Sequence, residues 1–335
     1  MKICSLTARH LPFAALALGS ALLSFSVPGE AKELKLGLIT PPQHVWTKAA
    51  HEFAERVESE SDGDLSVALF PAGQLGDEPA MFAQMQSGLL DMGIMTAAIT
   101  SQREPSVNGW FTPFLFDSVE DAIQAAHTPA AEQMLDNLED KGLHAFGYTF
   151  AGMRHILMRD HAVTSLDDLD HQKIRIIPIS AMQTWWRATD AVPTPIQLPD
   201  VYQGLQNKMI DGVGIDLDAL VGSGFDEVAQ HLTLTNHMAF PAIAMVSTTT
   251  WDTLSENERK VVNQAMHEAL DWANQAQIDA EADNLAYLEE HIDVRHLDDA
   301  KAQFAKANAA FDDKFSVLPL ISQFQQQVAD QHAEQ

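Results

Sequence analysis

Hydrophobic positions in this chain follow two spacings, one typical of strands and one typical of helices. Short apolar runs predict β-strands at 34–39, 65–70, 144–148 and 174–177. Between them, apolar residues recur every three or four positions, which predicts helices at 47–60, 78–88, 119–140 and 200–207. Because strands that alternate with helices are typical of layered α/β proteins, we predict an α/β fold.

The C-terminal third has a different pattern, in which helical spacing dominates. Residues 255–290 form an almost unbroken helical run, and a second run covers 298–315. The first run opens with Ser255-Glu-Asn-Glu258, a spacing that fits a capping box at a helix N-terminus. No internal repeat is apparent. The pattern therefore predicts a long helix that begins near Ser255.

The N-terminus carries the pattern of an export signal. Lys2 and Arg9 form a basic region, an apolar run follows at 11–27, and small residues flank Glu30 at 29–31. We predict a cleavable signal peptide at 1–31 and a periplasmic location. A membrane anchor is the alternative, although Pro12 and the polar sequence after Val27 disfavour it. The single cysteine, Cys4, lies in this leader, so the mature chain contains no disulfide.

The chain is strongly acidic, which limits its partners. Its net charge is −27, and it becomes −28 when residues 1–31 are removed. Nucleic acid and anionic membranes are therefore excluded as partners, and a solvated, soluble surface is the simplest interpretation of the acidity.

An acidic protein that binds an anion needs a locally positive pocket. Arg154 and Arg175 are the candidates, because a guanidinium can hold a carboxylate with two parallel hydrogen bonds.

Several motifs occur in an order that resembles the substrate-binding proteins of TRAP (tripartite ATP-independent periplasmic) transporters. The resemblance covers nearly all of the mature chain, and the order of the motifs is more specific than any one of them. The motifs are Phe53-Ala-Glu-Arg-Val57, Phe70-Pro-Ala-Gly-Gln-Leu-Gly76, Gln86-Ser-Gly-Leu-Leu-Asp91, Phe111-Thr-Pro-Phe-Leu-Phe116, Ser165-Leu-Asp-Asp-Leu169, Lys173-Ile-Arg175, Pro193-Thr-Pro195, Val201-Tyr-Gln-Gly-Leu-Gln206 and Ile210-Asp-Gly212.

This resemblance implies a two-domain periplasmic binding protein of the Venus-flytrap type, with hinge strands and a long helix that spans both domains. The implied first domain comprises 32–151 and 241–280, and the second comprises 152–240 and 281–335. A ligand would be trapped between them by a hinge motion. No cofactor and no metal are expected.

The resemblance also implies the ligand-binding residues. Arg175 matches the family's principal carboxylate clamp, and Arg154 matches a second arginine that assists it; a surface ion pair is the alternative role for Arg154. The chain departs from the family where Ile215 and Asp216 replace a polar segment, so Asp216 either faces an ammonium or hydroxyl of the ligand or caps a helix. The remaining candidates are Thr40, His44, Trp46, Thr96, Trp185, Leu198 and Phe240.

Thr96 and Leu198 stand where sialic-acid-binding members carry a glutamate and an aromatic residue, which disfavours sialic acid as the ligand. Trp185 and Trp186 are adjacent, so only one of them can face a cleft from a helix. Packing in the core is the alternative role for the other tryptophan.

The predicted function is that of a periplasmic receptor that delivers a small organic acid to the small and large membrane subunits of a TRAP permease. A ligand-binding partner of a sensor system, a receptor for a small amine and a secreted hydrolase are the alternatives. The histidines lack the spacing of a helical metal site, and no nucleophile, metalloprotease or phosphate-binding motif appears. We therefore expect no catalysis. The protein is expected to be a monomer, and a dimer stays open.

Overall fold

The computed structural model describes residues 31–334. Cys4 and the predicted signal peptide, apart from Ala31, lie outside the described residues. The strands are β1 (Lys32–Leu38), β2 (Leu65–Phe70), β3 (Met92–Thr96), β4 (Leu143–Met158), β5 (Lys173–Ile176), β6 (Val192–Pro195), β7 (Gly212–Asp216), β8 (His231–Ser247) and β9 (Asp293–His296).

The helices surround these strands. They are α1 (Val45–Glu60), α2 (Glu78–Gln86), α3 (Ala97–Thr100), α4 (Val119–Ala125), α5 (Pro129–Asp136), α6 (Ser180–Arg187), α7 (Val201–Gln206), α8 (Leu217–Gly222), α9 (Thr248–Thr253), α10 (Glu256–His291), α11 (Ala300–Gln303), α12 (Ala305–Phe315) and α13 (Pro319–Glu334). Within 31–334, no helix combines the length and hydropathy needed to cross a bilayer.

All strands of the described residues belong to one mixed sheet, with the order β2-β1-β3-β8-β4-β7-β5-β6 and with β9 paired to β8. At one end, β1 pairs in parallel with β2 and β3. At the other end, β5 pairs in parallel with β6 and β7. The predicted α/β class is confirmed.

The two ends of the sheet have the same order of strands and helices, which was not apparent from the sequence. We call residues 32–100 the first unit and residues 173–222 the second unit; each consists of three strands, each followed by a helix. In the first unit, Asp91 accepts a hydrogen bond from the amide of Lys35 at 2.9 Å. In the second unit, Asp211 accepts one from the amide of Lys173 at the same distance of 2.9 Å. The two units therefore repeat the same arrangement in structure, although no repeat is apparent in the sequence.

Two long antiparallel strands, β4 and β8, join the two units. The end of β8 pairs with β3 of the first unit, while the end of β4 pairs with β7 of the second unit. Their mutual pairing is irregular between Phe150 and Met153, where Gly152 has φ +106°. Gln277 of α10 donates to the carbonyl of Ala151 at 3.1 Å, so the irregular segment is fastened to the long helix.

Helix α10 runs past both units. Its 36 residues correspond to about 54 Å. The predicted capping box is confirmed: Ser255 Oγ accepts from the amide of Glu258 at 3.2 Å, and the amide of Ser255 donates to Glu258 at 2.6 Å. Near its other end, Tyr287 donates to Asp226, beyond the second unit, at 3.1 Å.

Two of the predicted helices are wrong as single elements. The run 119–140 is divided into α4 and α5, because Thr128 and Pro129 begin a new helix in which Thr128 Oγ1 accepts from the amide of Ala131 at 3.3 Å. The run 298–315 is divided into α11 and α12 at Phe304. The predicted strand at 144–148 is only the beginning of β4.

The last helix, α13, packs against α5 and the short 3-10 helix Pro105–Phe111. Its Phe324 ring lies 4.7 Å from the ring of Trp110. The division into domains of 32–151 with 241–280 and 152–240 with 281–335 stays a prediction. It would place α13 in one domain and the segment that α13 contacts in the other.

Candidate functional site

A small cavity of about 30 Å³ lies between the two units. It is placed where β3, β5 and β7 end, as is typical of ligand sites in α/β sheets. The residues that line it are Ile39, Thr40, His44, Trp46, Glu78, Thr96, Arg154, Arg175, Ile177, Gln197, Leu198, Ile215, Asp216, Ala219 and Phe240.

The structure thus brings together every residue that the sequence predicted for the site, except Trp185. That residue is fully buried in α6, where its ring stacks on Phe304 at 4.8 Å. Its Nε1 donates to Asn308 at 2.9 Å. Trp185 therefore packs α6 against α11 and α12, and it does not line the cavity.

Arg175 provides hydrogen-bond donors that the protein leaves unused. The residue lies in β5 and is 3% exposed. Its Nε donates to the carbonyl of Ile196 at 2.8 Å, which fixes the plane of the guanidinium. Within residues 31–334, no hydrogen bond or ion pair uses its two terminal nitrogens. Burial, and next the charge of Arg154, lower the pKa of Arg175 to about 9, so it stays charged at neutral pH.

Arg154, in contrast, has several partners in the protein. Its Nη2 donates to the carbonyl of Gly214, and its Nη1 lies 3.4 Å from Asp216 Oδ2. The guanidinium also lies over the ring of Phe240, 4.4 Å from its centroid. Burial lowers its pKa to about 10, against the effect of Asp216. The surface ion-pair role considered for Arg154 is wrong, because both partners are buried.

Asp216 has the helix-capping role considered from the sequence, and it also faces the cavity; its contact with a ligand stays a prediction. It lines the cavity, and its Oδ1 accepts from the amide of Ala219 at 2.8 Å, which caps α8. Burial raises the pKa of Asp216, whereas Arg154 and next His44 lower it. Asp216 therefore brings an acidic side chain to the cavity while it is held by a helix cap.

Glu78 is the most important cavity residue that the sequence analysis missed. It occupies the first turn of α2, and its two carboxylate oxygens accept from the amide and the hydroxyl of Thr96 at 2.7 and 2.9 Å. Burial raises its pKa to about 7, against the lowering effects of these hydrogen bonds and of Arg175. Near neutral pH, Glu78 is therefore divided between its neutral and charged forms.

Aromatic side chains from the first unit and from β8 line one side of the cavity. The ring of Trp46 stacks on Phe240 at 5.9 Å and lies 4.8 Å from the ring of His44. The indole nitrogen of Trp46 is buried and has no hydrogen-bond partner among the described residues. On the other side, Leu198 and Ile215 are apolar. The cavity thus combines an apolar body with a few fixed polar groups, as small-molecule sites do.

Ile177, Gln197 and Ala219 also line the cavity and were not predicted. Ile177 could have been found, because the residue two positions after Arg175 points to the same side of an extended chain. Ala219 lies in α8, whose helical pattern is too short to recognise in sequence. Among the described residues, no group of histidine, cysteine and acidic side chains is arranged to hold a metal ion.

Comparison with known proteins reveals extensive similarity. A family model described as bacterial extracellular solute-binding protein, family 7, matches residues 36–316. A solute-binding protein from Chromohalobacter salexigens is 27% identical over 305 residues, which cover 89% of this chain and 90% of that protein.

Solved structures share the fold. The sugar acid binding protein DctPAm from Advenella mimigardefordensis, in complex with galactonate, is 25% identical with a TM-score of 0.86, covering 90% of this chain and 99% of that chain. A TRAP periplasmic solute binding protein from Polaromonas, bound to D-erythronate, is 26% identical with a TM-score of 0.82, covering 88% and 98%. The predicted fold class is confirmed.

Proposed function

Because the chain belongs to the bacterial extracellular solute-binding proteins of family 7, we propose that it is the receptor of a TRAP transporter and binds a small organic acid. One observation carries the choice of ligand. Arg175 is buried at the cavity, and its terminal nitrogens make no hydrogen bond among the described residues. A buried guanidinium with unused donors is costly, and a ligand carboxylate would supply two charge-assisted hydrogen bonds.

The other polar groups orient the rest of the ligand. Arg154 is already paired with Asp216 and Gly214, so the cavity has one cation available to an anion and a second that is largely neutralised. Glu78 and Asp216 line the cavity and can accept hydrogen bonds from hydroxyl groups. A monocarboxylate with one or more hydroxyl groups fits this arrangement better than a simple dicarboxylate.

Ligand capture proceeds by closure about β4 and β8. The two units contribute opposite walls of the cavity, for example Trp46 and Arg175, and the chain between them is irregular at Gly152. A ligand that contacts both walls stabilises only the closed form, so binding shifts the equilibrium towards closure.

The proposed setting is the periplasm, which the protein would reach by means of the signal peptide at 1–31. Its proposed partners are the small and large membrane subunits of the permease, which is driven by an ion gradient. The ligand is released unchanged, so the receptor has no catalytic role. The fold comparison supports this proposal through relatives that bind galactonate and D-erythronate.

A thermal-shift screen tests the function. We expect at least one of galactonate, D-erythronate, D-glucuronate and succinate to raise the melting temperature, and the corresponding uncharged alcohol to have no effect. The same ligand should change the fluorescence of Trp46, and Trp46→Phe should remove most of that change. NMR should recover the ligand unaltered after incubation.

Two results would oppose the proposal. Stabilisation by the uncharged alcohols to the same degree as by the acids would exclude carboxylate recognition. Conversion of the ligand into a product would indicate an enzyme.

A further inference from the structure

An uncharged groove lies beside the cavity and, like it, between the two units. Its volume is about 300 Å³, against about 30 Å³ for the cavity. The residues of the two units that line it are mostly apolar: Ile39, Pro41, Ala72, Leu198, Pro199 and Tyr202. Residues between 222 and 225 complete the lining. The groove is therefore built from both sides of the cleft.

The side chains of the groove suit an apolar group. None of its lining residues within 31–334 carries a charge, although the chain has a net charge of −27. The hydroxyl of Tyr202 already donates to Glu227 at 2.9 Å, and Ser223 carries the other hydroxyl of the lining. The groove thus offers few partners to a polar group, whereas an apolar group gains free energy there by leaving water.

Two side chains separate the groove from the cavity. Ile39 and Leu198 line both spaces, one from each unit. Ile39 is the residue that follows β1, and Leu198 lies just before α7. Because the same two side chains bound both spaces, the spaces are neighbours, and one ligand can extend past Ile39 and Leu198 from the cavity into the groove.

The cavity alone has room for only a small part of a ligand. Its volume of about 30 Å³ holds about two water molecules. Arg175, Glu78 and Asp216 line this space, so it suits a carboxylate and a hydroxyl group next to it. The rest of a larger ligand must lie elsewhere, and the groove is the adjoining space with room for it.

We propose that the ligand is a hydroxy acid with an apolar substituent, whose carboxylate lies at Arg175 and whose substituent lies in the groove. This inference rests on the proposed function, because it takes the carboxylate site of the receptor as given. The acid head forms hydrogen bonds in the cavity, and the substituent is removed from water between the two units. A tail with hydroxyl groups gains less, because the groove offers them few partners.

Calorimetry on the full chain with four compounds tests this proposal. Lactate, D-erythronate and 3-phenyllactate share a 2-hydroxy acid head and differ in the tail, which is a methyl group, a hydroxylated chain or a benzyl group. The fourth compound, 3-phenylpropane-1,2-diol, has the aromatic tail without the carboxylate. We expect 3-phenyllactate to bind more tightly than each of the other three by about tenfold or more, the order expected for burial of an aromatic ring.

Two substitutions in the groove should reduce that preference without altering the cavity. Ala72→Asn places a polar side chain in the groove at φ +53°, a conformation that asparagine adopts more readily than alanine. Tyr202→Ala removes the aromatic ring from the lining. Each should weaken the binding of 3-phenyllactate by about fivefold or more and change that of lactate by less than about twofold.

Matched controls separate the groove from general effects on stability. His171→Asn introduces the same side chain at an exposed position with φ +58°, outside the lining of the groove. Tyr287→Ala removes a tyrosine that, like Tyr202, donates its hydroxyl to an acidic residue, in this case Asp226 at 3.1 Å. Both controls should bind 3-phenyllactate as the original protein does.

The outcomes are distinct. If lactate or D-erythronate binds as tightly as 3-phenyllactate, this inference fails and the receptor function stands. Equal binding of the diol would also overturn it, because the groove would then be a separate site, as would an equal loss of 3-phenyllactate binding in the controls. If none of the acids of either screen binds, the proposed function fails together with this inference. If one groove variant does not fold, the other decides the question by the same comparison.

Discussion

Arg154 and Asp216 stand directly opposite each other in the antiparallel pairing of β4 with β7, and their side chains meet at 3.4 Å. Asp216 balances the charge of Arg154, whereas the terminal nitrogens of the nearby Arg175 make no hydrogen bond among the described residues. How much negative charge a ligand can bring into the cavity therefore depends on Asp216.

The substitution Asp216→Asn should shift the preference of the cavity towards more negative ligands. Asparagine can still cap α8, but it no longer neutralises Arg154. Succinate and L-aspartate form a matched pair, without and with an amino group. We expect the variant to bind L-aspartate more weakly by about 1–3 kcal/mol, the order of a lost charged hydrogen bond, and succinate at least as well as before. Calorimetry measures both.

The same variant should unfold at a lower temperature without ligand, because Arg154 is then buried with its charge uncompensated. Identical preferences for the two acids in both proteins would remove Asp216 from the determinants of selectivity.

Replacement of Arg175 by lysine should weaken binding of the acid nearly as much as replacement by alanine. Lysine keeps the charge and loses the planar pair of donors, each bond of which is worth roughly 1.5–3 kcal/mol. We expect at least a hundredfold loss of affinity, since about 1.4 kcal/mol corresponds to a factor of ten. Arg103→Lys, at an exposed arginine, is the control. If Arg175→Lys binds within threefold of the original protein, the clamp is not bidentate.

Glu78 should make the stability of the protein depend on pH. Its pKa is about 7 in the folded protein, against 4.5 ordinarily, so the folded state binds the extra proton between these values. The stabilisation is complete below about pH 4.5 and is lost as the pH rises through 7, a change of about 3 kcal/mol. Urea unfolding between pH 5 and 8 measures this decline.

Glu78→Gln should make that decline shallower without abolishing it, because burial also raises the pKa of Glu281 to about 7. Glu55→Gln, at an exposed position of α1, should leave the pH dependence as it is. An unchanged slope in Glu78→Gln would show that Glu78 ionises normally. The affinity for an acidic ligand should also fall as the pH rises through 7, because a charged Glu78 competes with the ligand for Arg175.

Gly152 should accept a side chain less readily than a glycine in open space. A β-carbon there would lie 2.4 Å from Glu281 Oε2 and 3.0 Å from Gln277 Nε2, so it would displace the hydrogen bond between these two side chains, in a backbone conformation with φ +106°. Gly63 has a similar φ of +82°, yet nothing lies within 4 Å of its β-carbon position. Gly63→Ala should therefore cost about 1–2 kcal/mol for the backbone alone. Urea unfolding should show a larger loss for Gly152→Ala, and equal losses would mean that the hinge accommodates a methyl group.

The sequence predicted the cavity better than it predicted the elements around it. Arg175 and Arg154 were found because cations are scarce in this chain, and their neighbours followed from motifs in a known order. Glu78 was missed because a glutamate in the first turn of a helix is ordinarily explained by the helix itself. Only in the folded protein does Glu78 lie beside Thr96, which follows it by 18 positions in the chain, and line the cavity.

The length of the strands β4 and β8, which join the two units, could not be predicted from local patterns. Strand β8 has polar residues such as Thr233 and His237 that are buried because a second strand and α6 cover them. Its periodicity therefore resembles neither an exposed strand nor a helix. The break between α4 and α5 was predictable in principle, since Thr128-Pro129 is a common helix start.

The chain passes between the two units along β4, returns along β8 and passes again along α10. The cavity residues of the first unit all lie between Ile39 and Thr96, whereas β8 and α10, which pack against that unit, follow the second unit in the chain. A recombination event with a single crossover between residues 100 and 143 would therefore exchange the first unit's cavity residues for those of a relative but would keep the original Phe240, β8 and α10. The new wall would have to fit against the old strand and the old helix.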